Sequence, residues 1–264
     1  FTFNYNNNLT DNLLIPNIPV SGILGISGPW GAGPTVNAGA VKNSGLEFEI
    51  RYRTNITDDL KFSANYNVTT IKNEVTRVDN GTGFLEGGSF GVGQPRPSRM
   101  EVGLPIGYFY GYETDGIFQN QAEVDAHPSQ NALGAAAQPG DIRLKDIKGD
   151  GALETDDRNN IGNQIPDALM GFNFSFSYKG IDFGVFTYAS IGNEIVRNYE
   201  RSQPNVNRMA YILDRWTGEG TSNEVPRVTT AATANNIFSD FYVEDGSYFR
   251  IQKIQLGYIT PKKW

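Results

Sequence analysis

Two neighbouring segments in which apolar and polar residues alternate strictly constrain this chain more than any other feature. From Leu46 to Arg53 every second residue is apolar and the others are Glu or Arg, and from Leu60 to Thr69 apolar residues alternate with Lys, Ser, Asn and Thr. A period of two is typical of a β-strand with one apolar and one solvated face. The polar stretch Thr54 to Asp58 between them predicts a hairpin. Strands of this length and pattern suit a membrane β-barrel with a water-filled interior.

A second hairpin is predicted at residues 170–188. Every second residue from Phe172 to Tyr178 is aromatic, and Lys179-Gly180 supplies a tight turn in which Gly adopts backbone angles that other residues avoid. The apolar phase changes between Val185 and Phe186, which predicts a β-bulge or a different register there. It changes again within residues 249–258. With residues 1–5 the chain offers about six strands, and the smallest membrane barrels need about eight. We therefore expect a segment of a barrel.

Composition narrows the alternatives. No stretch approaches 18 consecutive apolar residues, so a helical membrane protein is excluded, although 264 residues could still bury the core of one soluble domain. The 16 Phe, 13 Tyr and 30 Gly within only 39% hydrophobic residues indicate aromatic strands and long polar loops. The absence of Cys excludes disulfides and thiol catalysis. A net charge of −7 argues against nucleic-acid binding, which depends on basic surfaces.

Long segments separate the predicted strands. Residues 10–45, 72–168 and 191–242 are rich in Gly, Asn, Pro and Thr, and connections above about 15 residues are usually functional or disordered. Outer-membrane barrels have short periplasmic turns and long extracellular loops, so these segments are expected outside. Tyr52, Tyr178 and Tyr258 then lie at the inner strand ends, where an aromatic girdle is expected. The alternative is a soluble β-sandwich that buries the aromatic faces between two sheets.

Several motifs, in order along nearly the whole chain, resemble the SusC/RagA family of TonB-dependent outer-membrane transporters. They are Asn43–Glu47, Gly111–Phe118, Pro139–Arg143, Asp146–Gly151, Asp157-Arg158, Ile161–Asn163, Tyr178–Gly180, Arg215–Thr217, Val243–Arg250 and Leu256–Tyr258. The resemblance implies an all-β fold, an antiparallel transmembrane barrel of roughly 22 strands filled by an N-terminal plug. It also implies a SusD-like lipoprotein that captures glycans or peptides, and energy from the TonB complex acting on an N-terminal box.

On this interpretation residues 1–264 form a partial β-barrel domain, from which the plug domain and the final strands are absent. The chain would be the later part of a barrel wall in the outer membrane of a Gram-negative bacterium, in contact with lipid. It would import a glycan or peptide nutrient and meet TonB only through the missing N-terminal part. The alternative from another class is a binding or structural module, either a secreted glycan-binding sandwich or a subunit of a larger envelope assembly.

One motif has the spacing of a metal site. Asp146, Asp150 and Asp157 fall on positions one, five and twelve of a calcium loop, in which carboxylates at fixed offsets surround a hard cation. Ala152 would offer its carbonyl oxygen and Glu154 a further carboxylate. The sequence therefore predicts a calcium site built from these five residues.

Two departures weaken this prediction. Lys148 occupies the third position, where Asn or Asp should bind the ion, and position twelve is Asp, which reaches less far than Glu. The alternative is an acidic, Gly-rich turn held by hydrogen bonds from Asx side chains to the backbone.

No catalytic constellation is apparent. His127 is the only histidine and lies in a loop between Ala126 and Pro128, so a catalytic triad or a histidine metal cluster would depend on it alone. Trp30 and Trp216 could stack on sugar rings, although tryptophans more often pack a loop against itself. Acid pairs such as Asp156-Asp157 lie in turns without a pocket. We therefore expect a protein that is not an enzyme.

Overall fold

The computed structural model describes residues 1–15, 35–88, 90, 96–198 and 206–260, and most of them form antiparallel β-strands. The longer strands are β1 (Thr2–Ile15), β2 (Val36–Asn55), β3 (Leu60–Thr70), β4 (Lys72–Val78), β11 (Ala168–Tyr178), β12 (Ile181–Ile191) and β15 (Tyr248–Tyr258). The shorter ones are β5 (Phe84–Glu86), β6 (Ser98–Glu101), β7 (Tyr108–Gly111), β8 (Thr114–Ile117), β9 (Ile142–Leu144), β10 (Asn159–Asn160), β13 (Glu194–Val196) and β14 (Val243–Asp245).

Helices are few and short. The described residues contain one α-helix, α1 (Gln121–Ala126), with Asn120 as its N-cap, whose side chain accepts a hydrogen bond from the Glu123 amide. Short 3-10 helices occupy Asn131–Leu133, Thr155–Asp157, Ala210–Asp214, Ala234–Asn236 and Asp240–Tyr242. Within the part of the chain that the structure describes, no helix is both long enough and apolar enough to cross a bilayer.

The main sheet contains both hairpins predicted from the sequence. Its strand order is β1-β2-β3-β11-β12-β15, and every neighbouring pair is antiparallel. Directly paired residues point to the same side of a sheet, and along most of the sheet the pairing matches apolar residues, with exceptions such as Thr187 opposite Ile251. Tyr66 pairs with Ile50 and Phe172, and Phe183 pairs with Phe176 and Leu256. One face of the sheet is therefore apolar across all six strands, and the other is polar.

The apolar face is uncovered. Leu256 is 75% exposed, Ile254 63% and Phe3 61%, and these residues lie on strands at opposite edges of the sheet. A β-sandwich would bury such side chains under a second sheet. Among the described residues no second sheet covers β11, β12 and β15, which is the arrangement expected of a barrel wall. Within this part of the chain the sheet is covered only next to β4, where Val41 and Val75 pack against Met100 of β6.

The two strand turns lie at one end of this sheet, together with three tyrosines. The hairpin between β11 and β12 turns through Lys179 (φ 47°) and Gly180 (φ 87°), both in the left-handed region that tight hairpin turns require. Tyr178 is paired with Leu60 next to that turn, Tyr258 is paired with Ile181, and Tyr52 lies three residues before the end of β2. All three rings are exposed, so the predicted alignment of the tyrosines is present.

A β-bulge accounts for the phase change near the C-terminal end of the chain. Phe186 pairs with Lys253 and Thr187 pairs with Ile251, so Gln252 is the extra residue in β15. The bulge predicted between Val185 and Phe186 is wrong in position. The β11–β12 register is the same at Val185 and Phe186, and Phe186 is opposite Asn173. Phe186 consequently lies on the polar face.

Residues 72–168 and 191–242 are long connections between the strands of the main sheet, but they have structure of their own. They contain short strands and helices that contribute to three buried clusters. The first consists of Phe90, Phe109, Phe238 and Tyr242, the second of Tyr112, Ile142, Leu144 and Leu153, and the third joins Met100 to Val41 and Val75 of the main sheet. We call residues 96–165 and 206–247 the loop unit. Its core brings together Phe109 and Phe238, which are about 130 positions apart in the chain, so no local periodicity reveals it.

Candidate functional site

The acidic segment predicted to bind calcium connects β9 to the 3-10 helix Thr155–Asp157 inside the loop unit. The two carboxylate oxygens of Asp146 accept hydrogen bonds from the amides of Gly149, at 2.6 Å, and Gly151, at 2.8 Å. Asp150 accepts one from the amide of Ala152, at 3.0 Å. These are Asx-type bonds, in which a short acidic side chain organises its own turn. The pKa of the Asp146 carboxyl is lowered, mainly because the Gly151 amide stabilises its charged form.

Asp157, at the twelfth position, joins the two ends of this segment. Its side chain is buried, and one oxygen accepts from the amides of Ile147 (3.1 Å) and Lys148 (3.3 Å), while the other accepts from the amide of Glu154 (2.8 Å). Glu154 is the N-cap of the 3-10 helix and forms a reciprocal capping box with Asp157. In this geometry Asp157 stabilises the turn through backbone contacts.

The five predicted ligands do not form a metal cluster as they stand. Among the described residues no group of three or more His, Asp or Glu side chains could hold a metal ion. The ammonium group of Lys148 forms an ion pair with Asp156, which is not one of the predicted ligands. A calcium ion would have to share the oxygens of Asp146 and Asp157 with the amides that they now bind. The calcium site therefore stays a prediction.

A buried carboxylate connects the two halves of the loop unit. Asp141 is 1% exposed and accepts two hydrogen bonds from the guanidinium of Arg227, at 2.7 and 3.1 Å. It also accepts from the hydroxyl of Thr233 at 3.2 Å and the amide side chain of Asn235 at 3.0 Å. In the sequence Asp141 stands out only as part of a family motif, because its side-chain partners are 86 to 94 positions away.

Further buried polar side chains order the strand that follows Asp141. Asn235 accepts from the amide of Ile142 at 2.8 Å. Gln130 donates to the carbonyl of Ile142 at 3.2 Å and accepts from the amide of Leu144 at 2.9 Å. Strand β9 thus satisfies its backbone groups through side chains as well as through β8.

The polar face of the main sheet contains a groove of about 550 Å³ near the strand turns. Arg53, Lys61, Asp182, Gln255 and Phe186 contribute to its walls, and an adjoining hollow of about 250 Å³ adds Arg51 and Asn173. The serines Ser63 and Ser175 are hydrogen-bonded to each other across its floor, at 2.8 Å. Phe186 is the one large apolar side chain that strand pairing places among these polar residues.

The other residues singled out from the sequence have structural contacts. The His127 ring is edge-on to Phe118 at 5.1 Å, and its Nδ1 lies 2.9 Å from the Pro128 carbonyl oxygen. Trp216 packs against Gly140 and donates from Nε1 to the Gln119 side chain at 3.3 Å. Trp30 lies outside the described residues. Neither His127 nor Trp216 is therefore placed for catalysis or for stacking on a ligand.

The known proteins whose sequences are similar to this chain are much longer than it is. No family model matches. The chain is 31% identical over 268 residues to TonB-dependent receptor P3 of Formosa agariphila, covering all of this chain and 25% of the relative. It is 23% identical over 236 residues to TonB-dependent receptor SusC of Bacteroides thetaiotaomicron, covering 87% of this chain and 22% of the relative. The chain thus spans about a quarter of the length of these curated relatives.

Solved structures with the same fold include two of one assembly. The RagAB peptide transporter superposes with a TM-score of 0.71 at 18% identity, over 98% of this chain and 27% of that chain. The RagAB peptide importer in its open-open state gives a TM-score of 0.70 at 17% identity, over 98% and 26%. The six-stranded wall and the loop unit are therefore part of a known architecture.

Proposed function

We propose that this chain, which belongs to the SusC/RagA family of TonB-dependent receptors, forms part of the barrel wall and outer mouth of a nutrient importer. The imported molecule would be a glycan or a peptide, and the barrel would lie in the outer membrane of a Gram-negative bacterium. The remaining three quarters of the relatives' length would supply the plug, the N-terminal contact with TonB and the other strands.

The observation that carries this proposal is the uncovered apolar face. Strands β3, β11, β12 and β15 each have 11 residues. At about 3.3 Å per residue and a tilt of about 45°, such a strand covers about 25 Å along the membrane normal, which matches the apolar band of outer-membrane barrels. Lipid would cover the exposed Phe, Leu and Ile side chains, and the polar face would line the lumen.

The two ends of the sheet suggest an orientation. Short turns and exposed tyrosines lie at one end, and the loop unit continues from the other. In outer-membrane barrels the short turns are periplasmic and aromatic residues mark the interface. The loop unit would therefore be extracellular, where a SusD-like lipoprotein would bind. A calcium ion at Asp146, Asp150 and Asp157 would stiffen this mouth.

Cysteine labelling of the full-length protein in intact cells tests this orientation. The chain contains no cysteine, so an introduced one is the only thiol in this part of the protein. A membrane-impermeant maleimide should label Asp156→Cys in the loop unit, and it should label Asp59→Cys at the short turn only after the outer membrane is permeabilised. Asp156 and Asp59 have similarly exposed side chains, 56% and 58%. Equal labelling of both in intact cells would contradict the proposal.

A further inference from the structure

The polar face of the main sheet is not uniform. On β3 and β11 it presents small side chains, such as Ser63, Asn65, Asn173 and Ser175. On β12 and β15 it presents aromatic rings and cations. Because paired residues share a face, Phe186 lies beside Lys253, and Tyr188 lies beside Arg250. A group of exposed rings surrounded by polar residues is typical of a ligand-binding groove.

Three of these rings occupy neighbouring positions on this face, and we call them the aromatic track: Phe186, Tyr188 and Tyr248. Phe186 and Tyr188 are two residues apart on β12, which separates them by about 6.6 Å along the strand. The rings of Tyr188 and Tyr248 have centroids 6.0 Å apart. Phe186 is 39% and Tyr248 is 44% exposed. The track starts at the end of the sheet nearest the loop unit and leads toward its middle.

Cations flank the track. The Arg250 guanidinium carbon lies 5.6 Å from the Tyr248 ring centroid, and the Lys253 ammonium lies 5.7 Å from the Phe186 ring centroid. The nearest carboxylate on these two strands is Asp182, close to the turn and away from Tyr248. Among the residues of β12 and β15, the charged groups beside the track are therefore cationic.

We propose, on the basis of the function inferred above, that the aromatic track with Arg250 and Lys253 binds an anionic oligosaccharide on its way through the barrel. Exposed aromatic rings offer flat surfaces for the apolar faces of sugar rings. Arg and Lys would bind carboxylate or sulfate substituents, and the neighbouring Asn, Ser and Gln side chains would bind hydroxyl groups. A repeating polymer would meet the rings one after another.

The strand pairing favours a saccharide over an acidic peptide. An extended peptide is commonly bound by adding a strand to a free sheet edge. Here β12, which carries Phe186 and Tyr188, is hydrogen-bonded to β11 on one side and to β15 on the other, so its backbone has no free groups to offer a peptide. A ligand on the aromatic track would therefore be recognised by the aromatic rings and the charged side chains.

Binding of oligogalacturonate to the purified full-length protein tests this proposal. Calorimetric titration should show that Tyr248→Ala and Lys253→Gln each weaken binding by about three- to tenfold, the effect of losing one stacking or charge contact. Phe249→Ala is the matched control, because Phe249 is adjacent to Tyr248, 68% exposed and on the apolar face. This control should bind like the unaltered protein.

Three results would overturn the proposal. The first is that both track variants bind oligogalacturonate as tightly as the unaltered protein does. The second is that the unaltered protein does not bind oligogalacturonate. The third is that poly-glutamate displaces oligogalacturonate and that Tyr248→Ala weakens the binding of both polymers equally. The labelling of Asp156→Cys and Asp59→Cys reports on the importer function separately. If the two cysteines differ in accessibility as expected but the protein does not bind oligogalacturonate, the importer function is supported and only the proposal for the aromatic track is wrong.

Discussion

Asp141 and Arg227, 86 positions apart, are joined by two hydrogen bonds of 2.7 and 3.1 Å that connect the two halves of the loop unit. Removing one partner of a buried ion pair leaves a charge without compensation and typically costs about 3–5 kcal/mol. We therefore expect Asp141→Ala to destabilise the loop unit selectively. Hydrogen exchange should accelerate in residues 112–157 and 223–242 while the strands of the main sheet stay protected.

Asp115→Ala is the matched control for Asp141→Ala. Asp115 also pairs with an arginine, Arg143, at 3.2 Å, but its side chain is 62% exposed. Exposed pairs contribute at most about 1 kcal/mol, so exchange in the loop unit should hardly change. Equal effects of the two substitutions would show that burial of Asp141 is not what stabilises the unit.

The two faces of β11 should respond in opposite ways to an introduced charge. Phe174 pairs with Ala64 and Val185 on the apolar face, and Ser175 pairs with Ser63 and Gly184 on the polar face. In the full-length barrel, Phe174→Arg should reduce the free energy of unfolding by about 2–4 kcal/mol near mid-membrane, whereas Ser175→Arg should have little effect. Spin labels at the two positions give an independent measurement. Equal access of a lipid-soluble quencher to both would contradict the assignment of faces.

Calcium binding at the acidic segment can be measured by titration calorimetry. With Lys148 in place of a ligand, we expect a dissociation constant of about 10⁻⁴ to 10⁻³ M, as in extracellular calcium modules. Asp150→Ala should abolish the heat of binding, because Asp150 supplies a carboxylate with only one amide partner. Asp156→Ala should retain it, because Asp156 pairs with Lys148 and is not a predicted ligand. If the unaltered protein and Asp150→Ala gave the same heat of binding, the acidic segment would be only a solvated turn.

Acid should loosen the same turn, because the folded-state pKa of Asp146 is lowered from its ordinary value of about 3.8 by the Gly151 and Gly149 amides. A group with a lowered pKa contributes stability that is fully present above the unfolded pKa and is lost as the pH falls through the folded pKa. The amides of Gly149 and Gly151 should therefore lose protection only below about pH 4. In Asp146→Asn this pH dependence should be absent, and its persistence would assign the effect to another group.

The hairpins could be predicted from the sequence because one physical requirement controls both of their faces. Each strand separates an apolar from an aqueous environment, so its side chains alternate without interruption, as they do from Leu46 to Arg53. Where the alternation shifts, the sequence alone is ambiguous. The shift near Phe186 reflects an aromatic side chain on the polar face, whereas the shift after Ile251 is a bulge at Gln252.

The loop unit could not be predicted in the same way. Its core joins Tyr112 with Ile142 and Leu144, and the two halves meet through Asp141, Arg227 and Asn235. These contacts connect distant segments that are individually rich in Gly, Asn and Pro and have no period. Local composition therefore resembles that of disordered loops, although long-range packing and buried hydrogen bonds order the chain.

The length and the pairing of strand β2 have a mechanical consequence. Its 20 residues pair with β4 in one half and with β3 in the other, and β1 pairs with residues 36–49 along the opposite edge. At about 3.3 Å per residue it is about 66 Å long, more than twice the thickness of the hydrocarbon core. A ribbon bonded along both edges resists bending, so it would act as a strut between the membrane wall and the mouth. Opening movements would then require hinges elsewhere, for example at residues 192–193 and 246–247, which lie between strands and are hydrogen-bonded to each other.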